Sequence, residues 1–162
     1  MTNKKEDINL GYELEDELKK VFKIIQSNHP FFWHQFVDTK AARNFVAAQP
    51  SDFMVASLYS EVYLLEAKAS VLKKSLASCA KSAISPSQIG MHKKWHRAGK
   101  KSLFIFFCEI DDTVELWDGK YVVDCISNGE RMNVSGGDHL VAKCSYFGLE
   151  KMFIKFLGFC NE

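Results

Sequence analysis

Residues 50–70, PSDFMVASLYSEVYLLEAKAS, constrain the chain most. Two apolar runs, 53–56 and 62–65, flank a polar break at 59–61, the pattern of adjacent strands joined by a short turn. The second run passes straight into Glu66-Ala67-Lys68 instead of ending on a turn residue. Side chains alternate along a strand, so Glu66 and Lys68 share a face, with the Ala67 carbonyl between them. Asp52 opens the first run and reaches the same place if the two strands pair. The sheet would then end in two carboxylates, a main-chain carbonyl and a lysine. All-oxygen donors of that kind suit Mg²⁺, which is held by one or two carboxylates and keeps its waters for a phosphate. The same triplet also reads as a solvated Glu–Lys pair, worth little to stability.

A chain of 162 residues has the length of one domain, 1–162, with a proper core. Hydrophobic residues at 47% exclude a disordered chain. The cysteines (Cys79, Cys108, Cys125, Cys144 and Cys160) form no Cys-x-x-Cys pair, so reduced thiols are expected in place of disulfides or zinc. The first twenty residues lack an apolar signal region, and no apolar run approaches the ~18 residues of a membrane span. The expectation is a soluble protein of the cytoplasm, bacterial or, for a viral protein, that of the host cell, with no membrane partner.

Net charge is +1, but the charges are unevenly spread. Between Glu66 and Glu109 no acid occurs, while Lys68, Lys73, Lys74, Lys81, Lys93, Lys94, Arg97, Lys100 and Lys101 do. A basic middle third on a neutral chain fits a polyanion partner, and equally a solvated lysine-rich surface.

Leu14, Leu18, Val21, Phe22 and Ile25 have helical period, which predicts a helix over 11–26 after a frayed start at 1–8. Glu15 lies one step from that stripe and can point inward beside the sheet. His29-Pro30 ends the helix. A first strand over 31–37 follows, then a loop whose Lys40 and Arg43 can touch phosphate. Residues 70–87 read as a flexible or partly helical connection. Ser85 and Pro86 predict an N-cap and first turn, with a helix over 88–98 closed by Gly99. His92 and His96 are four apart, a possible metal pair. Without a third ligand in the metalloprotease order, surface or phosphate contact is the reading taken. Residues 102–110 read as a strand buried on both faces. Residues 114–117, an Asp118-Gly119 turn and 121–123 read as an edge hairpin. Residues 127–137 read as a loop without the context of a nucleotide-binding loop, so no nucleotide cofactor is expected. A last helix over 149–157 packs on the sheet. The fold class is therefore α/β, or α+β, with a central mixed sheet flanked by helices.

This order, with Pro50-Ser51-Asp52 followed by Glu66-Ala67-Lys68 and thirteen residues between the two carboxylates, resembles the PD-(D/E)XK nuclease core, a restriction-endonuclease-like fold. More closely, residues 9–108 resemble the Holliday junction resolvases of the RecU and phage type. Asn9-Leu10-Gly11-Tyr12-Glu13-Leu14-Glu15 is similar to the family's opening Asn-Arg-Gly…Leu-Glu. Gln49-Pro50-Ser51-Asp52-Phe53 and Glu66-Ala67-Lys68-Ala69-Ser70 are similar to its two strand motifs. Ile84-Ser85-Pro86-Ser87-Gln88-Ile89 is similar to the stretch that carries its glutamine. Leu10 stands where the family has arginine, Ser87 where it often has histidine, and 71–83 cannot be matched.

The resemblance implies a Mg²⁺-dependent endonuclease, with Mn²⁺ substituting, that resolves four-way DNA junctions as a homodimer by paired nicks. Glu15, Asp52, Glu66, Lys68 and Gln88 would be catalytic. Asp52, Glu66, the Ala67 carbonyl and Glu15 would hold metal. Lys40, Arg43, Ser70, Lys73, Lys74, Lys81, Lys93, Lys94 and Arg97 would contact DNA. A PD-(D/E)XK repair, replication or restriction nuclease, and a non-catalytic DNA-binding relative, are the other readings.

Overall fold

Helix α1 is laid down by the apolar stripe that precedes the first strand. Leu10, Leu14, Leu18, Val21, Phe22 and Ile25 are buried along α1, Lys4–Asn28. The computed structural model describes residues 4–36, 49–56, 61–70, 76–133 and 139–159. The helix begins earlier than the stripe alone predicts, because nothing between Lys4 and Gly11 stops it and the charged residues there tolerate helical backbone. It ends at Asn28, two residues beyond the expected 26 and two before Pro30.

Six strands follow in the order β1 (Phe32–Gln35), β2 (Phe53–Ala56), β3 (Val62–Ser70), β4 (Lys101–Cys108), β5 (Thr113–Asp118) and β6 (Val141–Cys144), and they lie in that same order in one sheet. The β3–β4 pair is parallel and the other pairs are antiparallel. The sheet is thus mixed, flanked by helices, in an α+β fold. A parallel pair requires a crossover, supplied by α2 (Leu76–Ala83) and α3 (Pro86–Arg97). Ser85 caps α3 with a reciprocal box to Gln88, and Gly99, at φ 73°, follows its end.

Strand β4 shows why the sheet needs cover on both faces. Leu103, Ile105 and Phe107 face α1 and α5 (Leu149–Phe156), while Phe104 and Phe106 face α2, α3 and α4 (Gly119–Asn128). On the α1 side Phe22 meets Phe53 and Phe153 edge-on, at 5.6 and 5.1 Å between ring centres.

The expected hairpin at 114–123 is not formed. Asp118 is instead the N-cap of α4, its carboxylate accepting from Tyr121 N at 2.9 Å. Val122, Val123 and Cys125 are buried at helical spacing, a period that outweighs the Asp-Gly turn signal. Gly119 starts that helix against β4, where a Cβ would lie 2.0 Å from Ser102 Oγ and 2.7 Å from the Ser102 carbonyl carbon. The partner of β5 is β6, which sequence reading missed: Lys143 pairs with Glu115 across the two strands at 2.5 Å. Ser127 and Asn128 belong to α4 and not to the loop expected over 127–137, of which 134–138 lie outside the described residues.

Gly119→Ala is expected to lower the unfolding free energy by about 1–3 kcal/mol through overpacking. Urea midpoints measure this, with Lys120→Ala on the exposed side as control. An unchanged midpoint for Gly119→Ala would contradict the tight β4–α4 contact.

Candidate active site

The site is built where two strands part. The pairing of β2 with β3 closes at Phe53↔Leu65, but β3 runs on to Ser70, paired with β4 along its other edge. From Glu66 onward, β3 therefore offers an edge that β2 no longer covers. Asp52, just before β2, turns its carboxylate into this gap and Oδ2 accepts from Ala67 N at 2.7 Å. A strand residue directs its N–H and C=O to the same edge, so the Ala67 carbonyl opens on the same space. Phe36 N, just past β1, donates to the Asp52 carbonyl at 2.9 Å and fixes the approach of the chain.

Glu66 is fully buried, with 0% of its surface exposed. A carboxylate in that position must have its lone pairs filled. Lys68 Nζ donates to Oε1 at 2.6 Å and Gln88 Nε2 donates to the same oxygen. Ser51 Oγ donates to Oε2 at 3.0 Å. Burial draws the Lys68 ammonium pKa down, but the charges of Glu66 and Asp52, the Glu66 hydrogen bond and the Glu15 charge outweigh it and hold the pKa above its usual value.

Glu15 comes to the same gap from α1. Burial first, and the neighbouring Asp52 charge second, push its pKa up to about 7, against the opposing Gln35 hydrogen bond and the Lys19 and Lys68 charges. Gln35 Nε2 donates to Glu15 Oε2 at 3.2 Å. The five candidate catalytic side chains thus form a connected group: Glu15 beside Asp52, Asp52 on the Ala67 amide, and Glu66 between Lys68 and Gln88.

Two members were missed from sequence. Ser51 is buried beside Asp52 and carried no signal beyond that adjacency. Gln35 had one: Phe31 and Trp33 pack toward α1, and alternation places Gln35, a polar residue, on the same inward side.

The donor set is chemically apt for Mg²⁺. Asp52, Glu66, the Ala67 carbonyl and Glu15 offer oxygen alone, the hard donors that this ion takes. A divalent cation would also lower the cost of ionising Glu15, which burial raises most and the Asp52 charge raises further. Among the described residues no cluster of three or more His, Cys, Asp or Glu side chains is arranged to close around an ion. Mg²⁺ needs less than that, since one or two carboxylates suffice when waters and a phosphate complete the shell.

The histidine expectation is corrected. His92 is fully buried, its ring 4.7 Å from that of Phe104, so it offers no surface to phosphate. Both its ring nitrogens lack a hydrogen-bond partner among the described residues. Burial, then the His96 and Lys68 charges, depress its pKa to about 4. His96 Nε2 lies 2.8 Å from Ser102 Oγ, under the start of α4. The two rings face the sheet because Gln88, His92 and His96 lie on one side of α3 at intervals of four.

Of the expected DNA contacts, Lys81, Lys94 and Arg97 are exposed and Lys93 is half-buried. Ser70 is not on the surface: β3 extends through it, pairs it with Cys108 and buries it. Lys40, Arg43, Lys73 and Lys74 lie outside the described residues. No helix among the described residues is long and apolar enough to cross a membrane. Among the described residues, Cys108, Cys125 and Cys144 form no disulfide. Neither protein-family models nor curated proteins give a match to this chain.

Two outcomes are expected. Lys68→Met should destabilise the chain in EDTA by about 3–5 kcal/mol, because Glu66 is left charged, buried and without a counter-ion. The double change Glu66→Gln/Lys68→Met should recover much of that loss in urea unfolding. Additive losses would mean the two side chains are not a coupled pair. The second concerns acid. An unfolded His92 takes its proton near pH 6.5, the buried one only near 4, so stability falls as pH drops through that window. The share is at most about 3 kcal/mol. His92→Phe should flatten this limb of the stability profile. Identical limbs would show that His92 is not buried neutral.

Proposed function

We propose that the chain is a divalent-metal-dependent endonuclease of the restriction-endonuclease-like type that cuts four-way DNA junctions. The observation that carries this reading is the meeting of Glu15, Asp52, Glu66 and Lys68 at the parting of β2 and β3. There, carboxylates and a lysine share one gap at a strand edge. Asp52 and Glu66, with the Ala67 carbonyl and Glu15, would hold Mg²⁺, or Mn²⁺ in its place. When bound, the ion supplies Lewis acidity toward a phosphodiester and a water made acidic enough to attack it.

The chain's own residues do the rest. Lys68, kept charged by its carboxylate neighbours, offsets negative charge that builds on the phosphate. Gln88 steadies Glu66. Lys93, Lys94 and Arg97 lie on α3, the helix whose first turn holds Gln88 and which carries no acidic residue, and would hold backbone phosphates in a salt-dependent way. A four-way junction has two-fold symmetry, so paired nicks call for a second copy of the chain. The cytoplasm, bacterial or that of an infected host, is where such a substrate arises.

One observation favours a second reading. Both Glu66 oxygens have protein donors, as in a structural ion pair of a DNA-binding protein without activity. Labelled immobile junction and matched linear duplex, each with Mg²⁺ or with EDTA, separate the readings. Paired nicks near the crossover are expected with Mg²⁺ alone, and Asp52→Asn should lower their rate by at least about 100-fold. Equal cutting of both substrates would move the function to a general nuclease. Tight junction binding without cleavage would leave a binding protein.

A further inference from the structure

The two oxygens of Glu66 are not equivalent. Oε1 accepts from Lys68 Nζ and Gln88 Nε2, and two donors fill an oxygen with two lone pairs. Oε2 accepts from Ser51 Oγ at 3.0 Å, its one donor among the described residues, which leaves a lone pair over. Ser51 is joined by a peptide bond to Asp52, whose Oδ2 is held on the Ala67 amide. The Ser51 hydroxyl therefore ties the Glu66 carboxylate to the residue that carries the other metal-holding carboxylate. This tie spans the point at which β2 and β3 separate, where no ladder bond fixes their spacing.

The geometry points to Ser51 as a positioning residue that aims Oε2 of Glu66, as its metal-facing atom, toward the side of Asp52, while Lys68 and Gln88 retain Oε1. The inference rests on the metal-dependent reading of the site. Ser51 does not touch the ion in this scheme. It sets the separation and orientation of two groups that do, as the outer partners of metal ligands do elsewhere, and loss of such a partner typically weakens metal binding by about 10–100-fold. The orientation of Gln88 supports the division. Its side-chain oxygen accepts from Ser85 N at 2.9 Å, so its amide nitrogen is the end left to face Glu66. The Oε1 side is accordingly closed by a helix cap as well as by a lysine.

The test is Mn²⁺ binding by the full chain, followed by calorimetry and by the electron-spin-resonance signal of free Mn²⁺, with no substrate present. Ser51→Ala is expected to weaken binding by about tenfold, and Ser51→Thr, which keeps the hydroxyl, to restore it to near the wild-type value. Ser51→Cys, close in size to serine but a weak donor, is expected to bind like the alanine variant and covers the case in which Ser51→Ala does not fold. Thermal midpoints in EDTA establish that each variant compared is folded. Wild-type affinity in both Ser51→Ala and Ser51→Cys would overturn the inference and leave the metal site standing. So would a Ser51→Thr variant as weak as the alanine one. A wild-type chain that binds no Mn²⁺ removes the metal-dependent reading itself, and the inference with it.

Discussion

A carboxylate taken wholly out of water costs several kcal/mol unless donors replace its hydration, and Glu66 meets this demand with groups from three parts of the chain. Ser51 comes from the approach to β2, Lys68 from β3 itself and Gln88 from the first turn of α3. Each has to arrive in register. A one-residue slip of β3 would turn Glu66 away from Lys68 and Gln88, toward α1 and the packed rings around Phe22. The pairing of β3 with β4 from Tyr63 to Ser70, with β2 on the other side as far as Leu65, fixes that register. Core packing and site geometry therefore rest on the same pairing.

The open edge of β3 is the second requirement. A strand edge exposes unpaired N–H and C=O groups, which proteins normally cover. Here Asp52 covers the Ala67 amide, and Glu15 approaches from α1. The result is a group of acidic oxygens in which burial first, and the Asp52 charge second, raise the pKa of Glu15. An arrangement that holds one carboxylate near neutrality beside another is poorly suited to pure stabilisation. A cation placed among them would resolve it.

Much of this could be read from residues alone, and the reasons are physical. Alternation in 103–107 and the Glu66–Lys68 spacing report directly on which side chains share a face. The Ser85-Pro86 start reports on backbone donors that a helix must satisfy. The failures have reasons too. Asp118-Gly119 serves equally as a hairpin turn and as a cap with a close contact. The burial of Val122, Val123 and Cys125 at helical spacing decides between these, and only the fold shows that face covered. β6 is short and half-exposed, held by pairing with Trp117 and Glu115 and not by its own pattern. His92 reads as a surface residue beside Lys93 and Lys94 until α3 is seen to lie on Phe104. Ser51 owes its role to a contact across the sheet that spacing does not encode.

Helix α3 joins these themes. Three successive turns set Gln88, His92 and His96 against the sheet, a polar row where apolar residues would pack more simply. Gln88 is fixed by the cap, and His96 meets Ser102. His92, between them, contributes its ring face to Phe104 without hydrogen bonds from its nitrogens among the described residues. Buried polar groups left without partners are rare and costly in folded proteins, and this one lies one helical turn from the group holding Glu66. The same helix carries Lys94 and Arg97 outward. Its first turn meets the Glu66 carboxylate through Gln88, the residue whose side-chain oxygen also accepts from Ser85 N in the cap, so the start of the helix and the buried carboxylate are satisfied by one side-chain amide.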